Sequence, residues 1–218
     1  MRPFVRLLTS SLLVFAACRG QGAAEPAAPI EPSIRPLAQL AAQHVIVTPT
    51  HSLRVIDPLG WVPTAPKPRD LLRALDDDIA TALGDRGLKS QWVYPPDLVR
   101  AMRSNPSYAI DPYALGASPL RNPAVVSGSQ LGDPLATQLR TMIALQEGVR
   151  AVLMPVELRF DGDKASGKGL AILRVALVDG RLGDVRWIGD VKGDSAPAYS
   201  RAVITSLASR LADLIAAP

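Results

Sequence analysis

Four groups of residues are of the types and spacing that chemistry uses. The first is Gly162-Asp163-Lys164-Ala165-Ser166-Gly167-Lys168, which fits the first seven positions of a phosphate-binding loop. The eighth position, which must hold magnesium through a hydroxyl, is Gly169. The segment also lies between two apolar runs that read as strands, so no helix N-terminus follows to receive a phosphate. Nucleotide is therefore not an expected partner, and a solvent-facing loop is. The second group is Gly193-Asp194-Ser195. Its serine would need a histidine base, and the chain holds only His44 and His51, both far upstream. A loop before the last helix is the plainer reading. The third is Asp76-Asp77-Asp78. Three successive helical residues fan out over roughly 200° and cannot converge on one ion, so a solvated acidic face near the helix's positive end is expected. The fourth is the histidine pair itself, too few for a zinc site within one chain. No catalytic residue, metal or cofactor follows from these groups, and a hydrolase is the remote alternative.

Composition narrows the classes further. The chain has 218 residues, 48% of them hydrophobic, enough for one domain with a real core. One cysteine excludes an intrachain disulfide framework and a thiolate zinc site. Aromatic residues at 5% supply little base stacking, and no run of five or more Lys/Arg occurs, so nucleic acid is not expected.

That single cysteine carries more than any other residue. Arg2 and Arg6 precede an apolar run over 7–17, too short to span a bilayer as a helix. A charged start, a short apolar stretch and small residues at its end read as a secretory signal over 1–17. Its last residues, Val14-Phe15-Ala16-Ala17-Cys18, resemble a bacterial lipobox, with Phe15 where Leu is usual. The resemblance implies a lipidated Cys18 and a lipoprotein held at the cell envelope, with Arg19 after it leaning toward the outer membrane facing the periplasm. Cleavage would remove Arg2 and Arg6 and take the formal charge from +4 to +2. Residues 18–36 then read as a Pro/Ala-rich extended tether.

The elements that must position everything else lie in 37–218, expected to be a single globular domain. Val45-Ile46-Val47 reads as a strand stopped by Pro49. Prolines 58, 63, 66 and 68 make a connection, and Asp70 is the expected N-cap of a helix. Leu71, Leu75, Ile79 and Leu83 recur every four residues as one buried stripe, ended by Gly84 or Gly87. A strand over 91–94 and a short helix capped by Asp97 follow, which implies a parallel crossover. Leu135, Leu139, Met142, Ile143 and Gln146 form a second stripe before Gly148. Three runs, 151–160, 170–178 and 185–191, are joined by short turns and make an antiparallel meander. Pro155 sits inside the first and predicts a free side or a bulge there. A last helix over 198–216 turns Val203, Leu207, Leu211 and Leu214 inward. The expected fold is α/β (α+β): a mixed four- to five-stranded sheet, one parallel β-α-β crossover followed by the meander, covered by amphipathic helices.

This layout is similar to a known group. Val45, Val47 and Pro49, then Gly148, Ala151, Val152 and Leu153, then Leu177, Val178, Asp179, Gly183, Val185 and Trp187 match the fold shared by the TolB amino-terminal domain, the curli-secretion lipoprotein and the lipoproteins that activate penicillin-binding proteins. The match covers roughly 40–100 and 135–217. It implies a non-catalytic protein-binding module in an envelope assembly, secretion or cell-wall complex. The alternative it implies is a ring-forming periplasmic homo-oligomer. The chain departs from the group at Pro155, where Gly is frequent, and in an irregular insertion at 105–133. It shows no amphipathic hairpin pair for a membrane barrel. The insertion carries Tyr108, Ile110, Tyr113 and Leu115 among turn formers, a composition that suits either a protein interface or a loop pinned to the domain.

Overall fold

The computed structural model describes residues 35–54, 56–163 and 167–216, which belong to one compact unit, Ile34–Pro218. Cys18, the signal and most of the tether lie outside the described residues. The strands are β1 (Val45–Val47), β2 (Ser52–Leu53), β3 (Trp92–Val93), β4 (Ala151–Asp163), β5 (Lys168–Asp179) and β6 (Asp184–Lys192). The helices are α1 (Pro68–Asp85), α2 (Pro95–Ser104), α3 (Leu135–Ala144) and α4 (Arg201–Asp213). Four short 3-10 turns complete the order, at Ala38–Ala42, Val62–Thr64, Pro112–Ala114 and Ser118–Arg121.

One mixed sheet runs β3-β1-β4-β5-β6, with β2 beside the far half of β4. β1 lies parallel to β3 and to β4, so the expected crossover through α1 is present. β4, β5 and β6 form the expected antiparallel meander. The sheet has six strands rather than four or five because β2, two residues long, pairs in parallel with Glu157 and Leu158. Two residues show no alternation, so nothing in the sequence marks them as a strand.

Both faces of the sheet are covered. α1 and α4 pack one face, where Leu71, Leu75, Ile79, Leu83, Val203, Leu207 and Leu211 meet Val45, Val47, Leu153 and Leu173. α3 packs the other, with Leu135, Leu139, Met142 and Ile143 against Ile46, Val152, Met154 and Val178. That is why β5 is buried along almost its whole length instead of alternating. Pro155 marks the bulge expected of it: the register of β4 against β5 shifts between Pro155 and Glu157. The extra residue changes the parity of the strand. Ala151 and Leu153 share a face with Leu158 and Phe160 across it.

The helix starts differ from the sequence reading. α1 begins at Pro68 and α2 at Pro95, so Asp70 and Asp97 sit inside the first turn rather than at the caps. Proline at the first helical position has its φ already set and no N–H to satisfy, so the helix starts one turn earlier. The Asp97 carboxylate then accepts the Tyr94 N–H at 3.2 Å. α3 ends at Ala144 rather than at Gly148, whose φ of 72° shapes the turn into β4, and Gln146 is only half-buried. α4 is likewise shorter than expected.

Candidate functional site

The β1–β2 break gathers three of the buried polar residues among those described, Thr48, Thr50 and Asp76. Thr48 donates its N–H to the Leu153 carbonyl at 3.0 Å, then Pro49, which has no N–H, interrupts the ladder. His51 rejoins β4 by donating to the Pro155 carbonyl at 3.2 Å, opposite the bulge. The chain thus leaves β4 for two residues and returns, and Thr50 is turned toward α1. There the Asp76 carboxylate accepts the Thr50 amide at 2.8 Å and its hydroxyl at 2.7 Å through the same Oδ1. Thr48 is fully buried, Thr50 is 4% exposed and Asp76 is 9% exposed.

Burial sets the protonation of this cluster. It pushes the Asp76 carboxyl up to about 6, helped by neighbouring Asp77 and opposed by the two Thr50 hydrogen bonds. It pulls the His51 imidazole down to about 4, so this ring is neutral at pH 7. The ring's Nε2 lies 3.2 Å from the Thr48 hydroxyl.

Asp76 faces two adjoining hollows. One, of about 400 Å³, is lined by Thr50, His51, Arg69, Arg73, Asp111 and Tyr113. The other, of about 330 Å³, shares Arg73, Asp76 and Tyr113 and continues to Tyr94, Pro95 and Pro96. Together they form a groove along α1, with Asp111 and Tyr113 on its outer wall. Burial, then the nearby Asp76 carboxylate, push the Tyr113 phenol up, against the Arg73 guanidinium. The groove offers a ligand an aromatic ring, guanidinium donors and the Asp76 carboxylate. Its hydroxyl nearest a nucleophile, that of Thr50, is covered and already spends its proton on Asp76.

Here the aspartate triplet departs from the sequence reading. It does fan out, and only Asp77 is a solvated surface acid. Asp76 is buried on Thr50, and Asp78 meets Arg201 at 2.5 Å and the Thr205 hydroxyl at 3.2 Å on α4. The triplet also sits in the middle of α1 rather than near its start. A charge run does not say which member points inward. The polar stop Thr48-Pro49-Thr50 was the available signal, because a strand broken by proline leaves backbone donors that something must satisfy.

The four insertion residues divide. Tyr108 is 77% exposed and Tyr113 is 49% exposed, on the groove wall. Ile110 is half-buried against the second core, and Leu115 is 8% exposed within it. Ala117 and Leu120 follow Leu115 into that core, so the insertion completes the cover of the face that α3 leaves open.

The other motifs lie elsewhere. Gly162 and Gly169 pair across the β4–β5 hairpin, as a strand link rather than a phosphate loop. Ser195 is exposed in the stretch before α4, where Asp194 donates its N–H to the Ser206 hydroxyl at 2.9 Å. His44 is exposed at the start of β1, and no group of three or more His, Cys, Asp or Glu able to hold a metal occurs among the described residues. No helix among them is long and apolar enough to cross a membrane.

No family model matches the chain, and no curated protein matches it. Among solved structures it is similar to the PelC dodecamer from Paraburkholderia phytofirmans, at 15% identity and a TM-score of 0.39, over 82% of this chain and 91% of that chain. A single-substitution form of the same dodecamer stands at 12% identity and a TM-score of 0.37, over 81% and 91%.

Proposed function

We propose that this chain is a non-catalytic, lipid-anchored cell-envelope protein whose globular domain binds another envelope protein in an assembly, secretion or cell-wall complex. Its place is the outer membrane, facing the periplasm, with Cys18 carrying the lipid. The observation that carries the binding role is the division within the insertion. Leu115, Ala117 and Leu120 fix the segment to the core, while Tyr108 and Tyr113 stay out in solvent, the second of them over the groove that Asp76 floors. Large aromatic side chains held outward by a rigid base are the usual anchors of protein interfaces.

Crosslinking in native cells, followed by identification of what co-purifies, tests this reading. Tyr108→Ala with Tyr113→Ala should lose the captured envelope protein while the melting temperature stays within a degree or two of the parent. Capture unchanged by both substitutions overturns it. For the anchor, fatty-acid labelling should vanish in Cys18→Ser, and labelling that persists rules Cys18 out.

A second reading is a ring of copies. Among the described residues, strand β6 has a sheet neighbour on one side only, β5, and the 128–131 stretch covers its other edge at Asp184 and Val185. An open edge accepts another strand. Mass photometry of the full chain in detergent separates the two readings, since a ring appears as a multiple of the chain mass.

A further inference from the structure

The described chain begins at one end of the sheet. Arg35 leads into the turn Ala38–Ala42, and Gln39, Leu40 and Gln43 form one wall of a hollow of about 480 Å³. Arg150, Asp179 and Arg186 form the other. This is the end where β4 starts, β5 stops and β6 starts. The Gly180 N–H donates to the Arg150 carbonyl at 2.8 Å, which sets Arg150 beside the β5–β6 turn.

Asp179 organises that turn. Its Oδ1 accepts the N–H groups of Arg181 and Leu182, both at 3.1 Å. Its Oδ2 meets the Arg186 guanidinium at 3.1 Å and that of Arg150 at 3.3 Å. The Asp179 side chain is 8% exposed, whereas those of Arg150 and Arg186 are 57% and 51% exposed. The acid is thus covered by the two guanidiniums, and what faces water is cationic. Arg181 is exposed and makes no ion pair among the described residues. Beside it Leu182 stands 53% exposed at the tip of the turn. The remaining acid of the turn, Asp184, is engaged by Arg186 at 3.5 Å and by Gln130.

We propose that this end, which carries Arg150, Arg181, Arg186 and Leu182, rests on the anionic phospholipid surface of the membrane that holds the Cys18 lipid. The inference depends on the lipid-anchor reading above. About sixteen residues separate Cys18 from Arg35, a reach of at most about 55 Å. The tether therefore permits many distances, but it joins the domain at this end, which raises the local concentration of membrane around it. Guanidiniums suit phosphodiesters because their planar N–H groups match two oxygens at once. A free phosphate would account for the arginines but leave Leu182 exposed for no reason. A lipid surface takes both, with phosphates at the arginines and the acyl boundary beneath the leucine.

The test uses the full lipidated chain in vesicles. With Cys18 acylated, Leu182→Cys supplies the one free thiol for an environment-sensitive fluorophore. Ser195→Cys, exposed beside the Gly169–Ala196 bridge at the opposite end of the sheet, is the control. In vesicles containing phosphatidylglycerol, the label at 182 should shift to the blue and lose access to an aqueous quencher. The label at 195 should do neither. The shift should disappear in pure phosphatidylcholine, in high salt, and when Arg181→Gln is added. A singly labelled chain whose 182 emission matches the control in phosphatidylglycerol overturns the docking while leaving the anchor intact. Two labels per chain would show Cys18 free and overturn the anchor, and this inference with it.

Discussion

The carboxylate of Asp76, in the middle of α1, receives both the amide and the hydroxyl of Thr50, at 2.8 and 2.7 Å. Twenty-six residues of chain close on that one oxygen, which ties the broken sheet edge to the helix above it. Asp76→Ala would leave two covered donors without an acceptor, at a cost of about 3 kcal/mol. Asp76→Asn keeps an amide oxygen in the same place and sheds a buried charge, so its cost should stay below about 1 kcal/mol. Urea denaturation of both variants checks the ranking. Equal losses would mean that the charge, not the acceptor, holds the contact.

The same cluster sets two opposed responses to pH. Asp76 titrates near 6 in the folded chain and near 3.8 when unfolded, so the folded state takes up its proton first. Its contribution to stability is full below about 3.8 and lost as pH rises through about 6. His51 titrates near 4 when folded and near 6.5 when unfolded. Its contribution is full above about 6.5 and lost as pH falls toward 4. Relative to the parent, Asp76→Asn should therefore lose stability on acidification from 6.5 to 4. His51→Gln should gain it over the same window. Each difference is on the order of 2 kcal/mol, smaller for His51 because its ring is partly exposed. Denaturation midpoints measured across that window for the three proteins show the opposed slopes. Parallel slopes would refute the assignment.

How much of this was legible in the sequence follows from pattern length. The stripe Leu71-Leu75-Ile79-Leu83 spans over three turns, and all four residues are buried where the period puts them. The meander declares itself by three long apolar runs and two glycine turns. Pro155 foretold its bulge because a missing donor has few places to go. What stayed hidden is short or single. Strand β2 has two residues. The second core is closed by Leu115, Ala117 and Leu120, which follow no helical or strand period because 3-10 turns place them. Asp76 looked like its two neighbours, and only the partner 26 residues earlier tells them apart.

The insertion should respond to substitution in two ways along a few residues. Leu120 is fully buried, and Arg174 donates to its carbonyl at 2.8 Å from β5. Leu120→Ala should cost about 2–5 kcal/mol by the cavity it leaves. Tyr108→Ala, at a side chain mostly in water, should stay within about 0.5 kcal/mol. Calorimetry of the two variants reads the contrast. A large loss from Tyr108→Ala would mean that this tyrosine packs against the domain and is not free for a partner.

The far end of the β4–β5 hairpin is closed by an aromatic cluster, and its fit depends on a glycine. Trp61 packs on Phe160 at 5.6 Å between ring centres and on Tyr199 at 6.4 Å, and Tyr199 meets Phe160 edge-on at 5.8 Å. The Trp61 ring lies directly over Gly169, where a Cβ would come within 2.4 Å of its Cζ2 and of Leu59 Cδ1. No real contact is that close, so Gly169→Ala must push out a tryptophan that is 6% exposed. The backbone there is also pinned, since Gly169 and Ala196 exchange hydrogen bonds at 2.9 and 2.7 Å. The substitution should cost about 1–3 kcal/mol by overpacking and move the Trp61 emission to the red as the ring meets water. Gly189→Ala is the comparison. There the obstructing ring is Trp187, 2.5 Å from the added carbon, but that ring is half-exposed on an edge strand and can swing aside. Its loss should be the smaller of the two. The reverse order would place the rigid ring on β6 rather than over the hairpin.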